Sequence, residues 1–170
     1  MRYNFGGKKM KAIACADLGW GIGKGGDLIY NIPEDMKFFR TMTGGKTVIM
    51  GRATLESLPG GKPLPKRRNI IISKTLESVE GAEVCKSPEE AAELLKDELS
   101  ENIFVIGGEQ IYRDMLPYCD SVYITRVEAE SDADRRFPNL DADVEWEIAE
   151  KSPRYEHEGL FYSFVTYKRV

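Results

Sequence analysis

Asp35 is the residue whose type and setting suggest chemistry most directly. It lies one turn into a predicted helix, beside the apolar residues Met36, Phe38 and Phe39. An unpaired buried carboxylate is unfavourable, so a buried Asp35 would shift its pKa or require a cationic or donor-rich ligand. On spacing alone the simpler alternative is a solvent-exposed acid, which the helix dipole favours in a first turn.

Glycines follow three of the predicted strands. These junctions are Gly51-Arg52 after Val48–Met50, Gly107-Gly108 after Phe104–Ile106, and the glycine-rich loop Gly19–Gly26 after the first strand. In an open parallel sheet, ligands bind at the carboxyl ends of strands, where glycine lets the backbone approach a phosphate. We therefore expect an anion site at these junctions, although a tight turn would explain any one glycine alone.

The run Gly21–Gly26 matches G-x-G-x-x-G only formally. The dinucleotide fingerprint requires the third glycine to open a helix directly. Here the chain continues through Asp27–Ile32 before a helix starts at Pro33. The run therefore indicates a flexible loop that either closes over a ligand or merely connects two elements.

Lys66, Arg67 and Arg68 form a short basic cluster between a Pro-rich loop and a predicted strand. One arginine could bind a carboxylate or phosphate through its two-pronged guanidinium. The cluster is too short and too isolated for a nucleic-acid surface. A solvated basic turn is the alternative. Surface exposure is also the simple interpretation of three other residues, Arg52, Lys74 and His157.

The composition excludes several classes of protein. A chain of 170 residues allows one domain, and 42% apolar and 31% charged residues are ordinary for a globular protein. A net charge of −4 is unfavourable for nucleic-acid binding, and a single His excludes multi-His metal sites. No apolar run approaches the roughly 18–20 residues of a membrane helix. We expect no nucleic-acid, membrane or metal binding.

The N-terminus and the cysteines carry two further expectations. Residues 1–9 are polar and lack the apolar segment of a secretory signal, so we interpret them as a flexible extension or alternative start before a domain at 10–170. Cys15, Cys85 and Cys119 are odd in number and widely spaced, which argues against a disulfide framework or a zinc site. We expect buried thiols in a reducing cytoplasm.

Alternating short strands and helices must position these residues. The predicted strands are 12–16, 46–50, 69–73, 82–85, 102–106, 121–127, 145–151 and 161–168. The predicted helices are 33–42, 51–58, 87–99 and 108–116, with Pro33 and the capping box Ser87–Glu90 marking two starts. This alternation implies a mostly parallel central sheet, and the helix-free ending implies an antiparallel C-terminal edge. The predicted fold is one α/β domain with helices flanking the sheet.

Several ordered motifs together resemble the dihydrofolate reductase family over about residues 10–169. They are Gly21-Ile22-Gly23, Asn31–Met36, Val48–Ser57, Pro63–Asn69, Val105–Gly108 and Tyr123-Ile124-Thr125. The resemblance implies the family's fold and the NADPH-dependent reduction of 7,8-dihydrofolate to tetrahydrofolate, in support of one-carbon and thymidylate metabolism. It also implies a cytoplasmic protein that binds antifolate inhibitors, which we expect to be a monomer.

On the substrate side, the resemblance assigns the central role to Asp35. In the family this carboxylate binds the amidine-like edge of the pterin and favours protonation at N5, next to the hydride-accepting C6. Thr125 supports Asp35 by hydrogen bonding, and Tyr30 belongs to the same catalytic set. Arg67 matches the clamp for the glutamate tail, with Lys62 a weaker candidate. The other substrate-binding positions are Ile13, Cys15, Met36, Phe39, Leu58, Ile106 and Tyr112.

On the cofactor side, the resemblance places NADPH along the carboxyl ends of the strands. Gly107 and Gly108 match a glycine pair, usually joined by a cis bond, under the nicotinamide and the pyrophosphate. The phosphate-binding positions are Arg52, Thr54, Ser73 and Lys74, the last two near the 2′-phosphate. The other expected contacts are Ala14, Ile22, Gly23, Gly51, Ala53, Lys86, Glu109, Gln110 and Ile111.

The sequence departs from the family pattern at two positions. Ile29-Tyr30 stands where the family usually has Pro-Trp before Asn31, and Ala53 replaces a residue that is often a basic or polar cofactor contact. Two alternatives remain open beside the reductase. A reductase of the same fold that acts on a pyrimidine of flavin synthesis would need a different pocket pattern. A non-catalytic nucleotide-binding module has only Tyr30 in its favour.

Overall fold

The computed structural model describes residues 9–170, so the proposed extension at 1–9 lies, except for Lys9, outside the described residues. The strands are β1 Met10–Ala16, β2 Gly21–Lys24, β3 Asp27–Leu28, β4 Thr47–Gly51, β5 Arg68–Ile72, β6 Glu83–Cys85, β7 Ile103–Gly107, β8 Cys119–Val127, β9 Arg135–Arg136, β10 Trp146–Lys151, β11 Tyr155–His157 and β12 Leu160–Arg169. The α-helices are α1 Pro33–Thr43, α2 Arg52–Ser57, α3 Pro88–Leu94 and α4 Glu109–Met115.

A nine-stranded sheet organises the described chain in the order β10-β12-β8-β1-β7-β4-β5-β6, with β11 added to β12. The strands from β8 to β6 in this order pair in parallel, whereas β12 pairs antiparallel with β8, β10 and β11. The predicted α/β fold, with a mostly parallel sheet and an antiparallel C-terminal edge, is confirmed. Parallel pairing brings the carboxyl ends of β1, β4, β5, β6, β7 and β8 to one edge of the sheet.

The central strands bury both of their faces, which explains their continuous apolar runs. Successive side chains on a strand point to opposite faces. In β4, Ile49 packs into the cluster beside α3 and α4, while Val48 and Met50 pack into the cluster beside α1 and α2. The same alternation places Ile71 of β5 on the α1 face. The sheet is therefore sandwiched between two pairs of helices.

The third helix ends earlier than predicted. The Ser87 hydroxyl accepts the Glu90 N–H at 3.1 Å, as the capping box requires, but the Glu90 carboxylate accepts from Lys86 N–H. α3 ends at Leu94, five residues before the predicted Leu99. After Leu95 the chain tightens into turns that bring the Glu98 carboxylate to Arg68, at 3.0 Å. The helical pattern of the sequence could not show this contact, because it joins residues that are distant along the chain.

A small second sheet replaces most of the predicted loop at Gly19–Gly26. It has three strands, in the order β3-β2-β9, and β2 occupies Gly21–Lys24. Two of its strands have only two residues, too few to show an alternating pattern. The short β11 was missed for the same reason, and it leaves His157 partly buried rather than fully exposed. Cys85 and Cys119 are buried as expected, whereas Cys15 is only partly buried.

None of the helices within residues 9–170 is long and apolar enough to cross a membrane.

The two-sided burial of β4 predicts a large difference between two isoleucines on strands. Ile49→Ala leaves a cavity in a central strand, because Ile49 is fully buried, and should lower the free energy of unfolding by about 2–5 kcal/mol. Ile148→Ala, on the edge strand β10 where the side chain is 52% exposed, should change it by less than about 0.5 kcal/mol. Urea denaturation followed by circular dichroism measures both, and equal losses would contradict the described packing.

Candidate active site

Asp35 lies in the first turn of α1, where the helix passes over β8. The Thr125 hydroxyl donates to Asp35 Oδ1 at 2.6 Å. Thr125 is paired with Cys15 on the neighbouring strand β1, and the Cys15 thiol also hydrogen-bonds to Asp35. Asp35 is therefore not the freely exposed first-turn acid that spacing alone suggested. Two strands and a helix hold its carboxylate in a partly buried position.

Burial sets the protonation behaviour of this site. Desolvation raises the pKa of Asp35 above its ordinary value, and the hydrogen bonds from Thr125 and Cys15 only partly oppose this shift. Burial, followed by the charge of Asp35, raises the pKa of the Cys15 thiol well above its ordinary value, so the thiol keeps its proton. Asp35 is therefore a carboxyl group that takes up a proton more readily than a solvated aspartate.

An apolar wall adjoins Asp35 on the α1 side of the sheet. Four of the predicted substrate-binding residues belong to one cluster there, namely Ile13, Phe39, Leu58 and Ile106. Phe104 and Tyr123, which were not among the predicted site residues, belong to the same cluster, and their rings stack at 6.4 Å between centroids. Met36 lies outside it and is 36% exposed. The wall could hold a flat aromatic ligand beside the carboxylate.

Arg67 is held at the end of this wall by neighbouring groups. Its Nε donates to the Thr43 hydroxyl and its Nη1 to the Pro65 carbonyl, both at 3.0 Å, and its guanidinium lies 6.0 Å from the Phe39 ring. Burial and then the nearby charge of Arg40 lower its pKa, as expected where a cation has little compensating negative charge. An anion at this position would provide that charge. Lys62, in contrast, is exposed.

The carboxyl edge of the sheet contains a glycine cradle, formed by Gly51, Gly107 and Gly108. The Gly107-Gly108 peptide is cis, and Gly107 has a φ of +125°, in the region that favours glycine. A Cβ at Gly107 would lie 3.3 Å from both Thr54 and Tyr112. A Cβ at Gly51 would lie 2.9 Å from Ile111. Neighbouring side chains therefore leave little room for a Cβ at Gly107 or Gly51, and the backbone at this edge of the sheet has no side chain of its own to shield it.

Donor groups surround this cradle because several strands end beside it. Arg52 follows β4, Ser73 and Lys74 follow β5, and Lys86 follows β6. The Arg52 guanidinium donates hydrogen bonds to Glu56 and Thr75, while the Lys86 ammonium donates to the Leu76 carbonyl. Ser73 is buried, whereas Lys74 is exposed. The donor set suits a ligand with several phosphates, and the glycine cradle suits close backbone contact with such a ligand.

The structure places the other predicted cofactor residues in different surroundings. Three of them, Ala14, Ile22 and Ile111, are partly exposed and pack against the cluster beside α3 and α4. Gly23 lies in β2. Tyr112, which was predicted on the substrate side, is instead buried in the cluster beside α3 and α4, and its hydroxyl donates to the Ile13 carbonyl at 2.7 Å. The side chains of Glu109 and Gln110 are engaged elsewhere, with Arg136 N–H and Asp114 respectively. Ala53 is exposed on α2.

Asp17 is a buried acid that the sequence analysis missed. It directly follows β1, and only 1% of its surface is exposed. Its carboxylate accepts from the backbone N–H groups of Gly19 and Gly21 and from the hydroxyls of Tyr30 and Ser131. Burial favours a higher pKa, but these hydrogen bonds outweigh it, and the pKa of Asp17 is lowered. An acid between a buried strand and a Gly-x-Gly turn was the available signal.

The Tyr30 hydroxyl points to Asp17. It donates to Asp17 Oδ2 at 3.0 Å, and burial together with this bond raises the pKa of Tyr30 to about 12. Tyr30 therefore keeps its proton near neutrality, and that proton is engaged by Asp17.

The chain matches a known protein family over nearly its whole length. The family model for dihydrofolate reductase matches residues 9–169. The chain belongs to the dihydrofolate reductase family. A dihydrofolate reductase of Neisseria meningitidis serogroup A is 42% identical over 163 residues, which cover 95% of this chain and 98% of the relative. One from Bacillus subtilis is 36% identical over 151 residues, covering 87% of each chain.

The match extends to longer relatives. The bifunctional dihydrofolate reductase-thymidylate synthase of Daucus carota is 39% identical over 178 residues, covering 94% of this chain and 34% of that protein. The similarity there is to one part of a larger enzyme. Members of the dihydrofolate reductase family are reductases that act on a small molecule with a nicotinamide cofactor.

The contact between Thr125 and Asp35 predicts a measurable change in protonation. Thr125→Val keeps the shape of the side chain but removes the donor that favours the charged carboxylate, so the pKa of Asp35 should rise further. A pH titration of the Asp35 carboxyl carbon, followed by NMR, measures this pKa. Thr41→Val, an exposed substitution on α1, the helix that carries Asp35, is the matched control. An unchanged or lowered pKa in Thr125→Val would contradict the described site.

Proposed function

We propose that this protein catalyses the NADPH-dependent reduction of 7,8-dihydrofolate to 5,6,7,8-tetrahydrofolate. In this reaction C6 of the pterin accepts a hydride and N5 accepts a proton, and the product supports one-carbon and thymidylate metabolism. The observation that carries the proposal is the partly buried Asp35, held by Thr125 beside an apolar wall in a member of this family. The proposal includes a cytoplasmic monomer whose substrate pocket also binds antifolates.

Asp35 would bind and orient the pterin. A carboxylate offers about four acceptor positions, and the Thr125 hydroxyl and the Cys15 thiol do not use all of them. The amidine-like edge of a pterin presents parallel N–H donors, which match the two oxygens of a carboxylate. Partial burial strengthens this charge-assisted contact relative to one in water. Thr125 keeps the carboxylate in a single orientation, so the ring would be fixed in the plane that Asp35 defines.

The same carboxyl group would promote protonation at N5. Its raised pKa lets Asp35 hold a proton at a higher pH than a solvated aspartate can. A proton on N5 draws electrons from the adjacent C6 and makes that carbon a better hydride acceptor. Ile13, Phe39 and Ile106 would exclude bulk water from this region, because they present apolar surface beside it.

Arg67 would bind the α-carboxylate of the glutamate tail of the substrate. Its guanidinium is held by Thr43 and Pro65 near the Phe39 ring, so it is ordered before the ligand arrives. A planar guanidinium can donate two parallel hydrogen bonds to a carboxylate. Lys62 would act as a weaker, solvent-exposed contact.

The residues at the carboxyl edge of the sheet fit NADPH. When bound, the cofactor supplies the hydride. Gly107 and Gly108 would lie under the nicotinamide and the pyrophosphate, and a Cβ at Gly107 would crowd Thr54 and Tyr112 there. Arg52 and Thr54 would hold the phosphates. Local positive groups in this way allow an acidic chain to bind two anionic ligands.

The remaining edge residues would distinguish the cofactor and complete its pocket. Ser73 and Lys74 would bind the 2′-phosphate, which separates NADPH from NADH. Further contacts are proposed for Ala14, Ile22, Gly23, Gly51, Lys86 and Ile111, all near the ends of the strands or in β2. Ala53 has only a methyl group to offer, so this position would contribute less than a basic residue would.

The central role of Asp35 predicts a large loss of catalytic activity in Asp35→Asn. An amide cannot supply the proton, so kcat for NADPH oxidation with dihydrofolate should fall at least about a hundredfold. NADPH binding, measured by fluorescence titration, should be unchanged. Because the folded-state pKa of Asp35 is raised, its charge disfavours folding at neutral pH, and the variant should be at least as resistant to urea as the native protein. Full activity in Asp35→Asn would contradict the mechanism.

The role of Arg67 predicts a change in substrate affinity rather than in turnover. Arg67→Lys keeps the charge but removes the paired donors, so the KM for dihydrofolate should rise by about tenfold while kcat changes little. Lys66→Ala removes a neighbouring exposed charge and should leave both constants unchanged, which makes it the control. Equal increases of KM in the two variants would show a general charge effect and contradict a specific clamp.

A further inference from the structure

Three separate segments of the chain meet at the Asp17 carboxylate. Oδ1 accepts from the N–H groups of Gly19 at 3.1 Å and Gly21 at 2.8 Å. Oδ2 accepts from the hydroxyls of Tyr30 at 3.0 Å and Ser131 at 2.5 Å. A buried charge is tolerated when its acceptor positions are satisfied in this way. Asp17 therefore joins the turn after β1, the segment before α1 and the segment between β8 and β9.

The turn that Asp17 holds has little room to rearrange. The Asp17 N–H donates to the Gly21 carbonyl at 3.1 Å, so the turn is closed by both backbone and side chain. A Cβ at Gly21 would lie 3.0 Å from both carboxylate oxygens and 2.7 Å from the Ala133 side chain. Gly21 begins β2, so the position of Asp17 determines where the small sheet starts.

The small sheet in turn reaches the glycine cradle. Gly21 of β2 pairs with Arg136 of β9. The Arg136 N–H donates to the Glu109 carboxylate at 2.8 Å, and Glu109 is the residue after Gly108. A displacement of β2 would therefore be transmitted through Arg136 and Glu109 to Gly107 and Gly108.

Tyr30 connects this assembly to the other half of the site. Its ring packs in one cluster with Cys15 and Ile32. The Cys15 thiol hydrogen-bonds to the Asp35 carboxylate. Ile32 directly precedes α1, the helix that carries Asp35. The Tyr30 ring thus packs against the same cluster as Cys15, while its hydroxyl donates to Asp17.

We propose that Tyr30 and Asp17 are positioning residues, whose hydrogen bond holds β2 in place beside the glycine cradle. Position 30 consequently requires an aromatic ring with a hydrogen-bond donor, and the loss of the hydroxyl alone weakens the cofactor side of the site. This inference rests on the proposed function for the identity of the cofactor. The immobilisation of the turn by the hydroxyl is a property of the chain without any ligand.

The test compares Tyr30→Phe and Ser131→Ala with the native chain and with Tyr155→Phe. Each of the first two variants removes one hydroxyl donor from Asp17 Oδ2 and leaves the fold's core intact. Tyr155 is an exposed tyrosine on β11, so its substitution controls for the loss of a phenolic hydroxyl elsewhere. Amide hydrogen exchange of the ligand-free proteins reports on the Gly19 and Gly21 N–H groups. Fluorescence titration measures the Kd of NADPH, and steady-state kinetics separates KM from kcat.

In Tyr30→Phe and Ser131→Ala, exchange at Gly21 should accelerate by about tenfold, as expected for the loss of a hydrogen bond to a charged group. The Kd of NADPH should rise by a similar factor, while the KM for dihydrofolate stays within about twofold, because the loosened segment borders the cradle and not Arg67. If the two hydroxyls had a purely structural role, their removal would lower the unfolding midpoint without a selective rise in the Kd of NADPH.

Two results would overturn the inference. Unchanged exchange at Gly19 and Gly21 in both variants would show that the hydroxyls do not hold the turn. Faster exchange with an unchanged Kd of NADPH would show that the turn does not position the cofactor side. If the native chain itself binds no NADPH, the proposed function fails, and that result is distinct because the exchange data do not depend on any ligand.

Discussion

The partial burial of the Asp35 carboxylate is the constraint on which the rest of the site depends. Burial alone would leave this acid unstable as an anion, and the Thr125 hydroxyl, at 2.6 Å, stabilises the anion only in part. The balance leaves a group that takes up a proton more readily than a solvated aspartate and that, as an anion, accepts hydrogen bonds from a ligand with N–H donors. The apolar wall beside it provides both the low-dielectric surroundings and the surface for a flat ring.

Parallel strand order places the two halves of the site next to each other. Cys15 and Thr125 are partners on β1 and β8, and they carry the contacts to Asp35. The next strands along, β7 and β4, end at Gly107 and Gly51, where the glycine cradle opens. A substrate beside Asp35 and a cofactor at the cradle would therefore meet across β1 and β7, which pair directly.

Local patterns predicted the elements that depend on local information. The apolar runs of β4 and β5 and the proline at the start of α1 located the central sheet and the helix of Asp35. α3 ended before the predicted residue, and beyond its end Glu98 contacts Arg68 on another strand, which periodicity cannot show. Asp17 was missed because its donors are spread from Gly19 to Ser131 and meet only in the fold. Family motifs, rather than spacing, are the basis for the predicted roles of Arg67 and of the cofactor edge.

The pH dependence of a single turnover tests the central claim most directly. NADPH oxidation is followed after mixing the loaded protein with dihydrofolate across the acidic to alkaline range. The account predicts a rate that is highest where Asp35 is protonated and falls as pH rises, with a midpoint above the ordinary range of an aspartate. A rate that is independent of pH, or that increases with pH, would contradict a proton-retaining Asp35 as the group that promotes reduction.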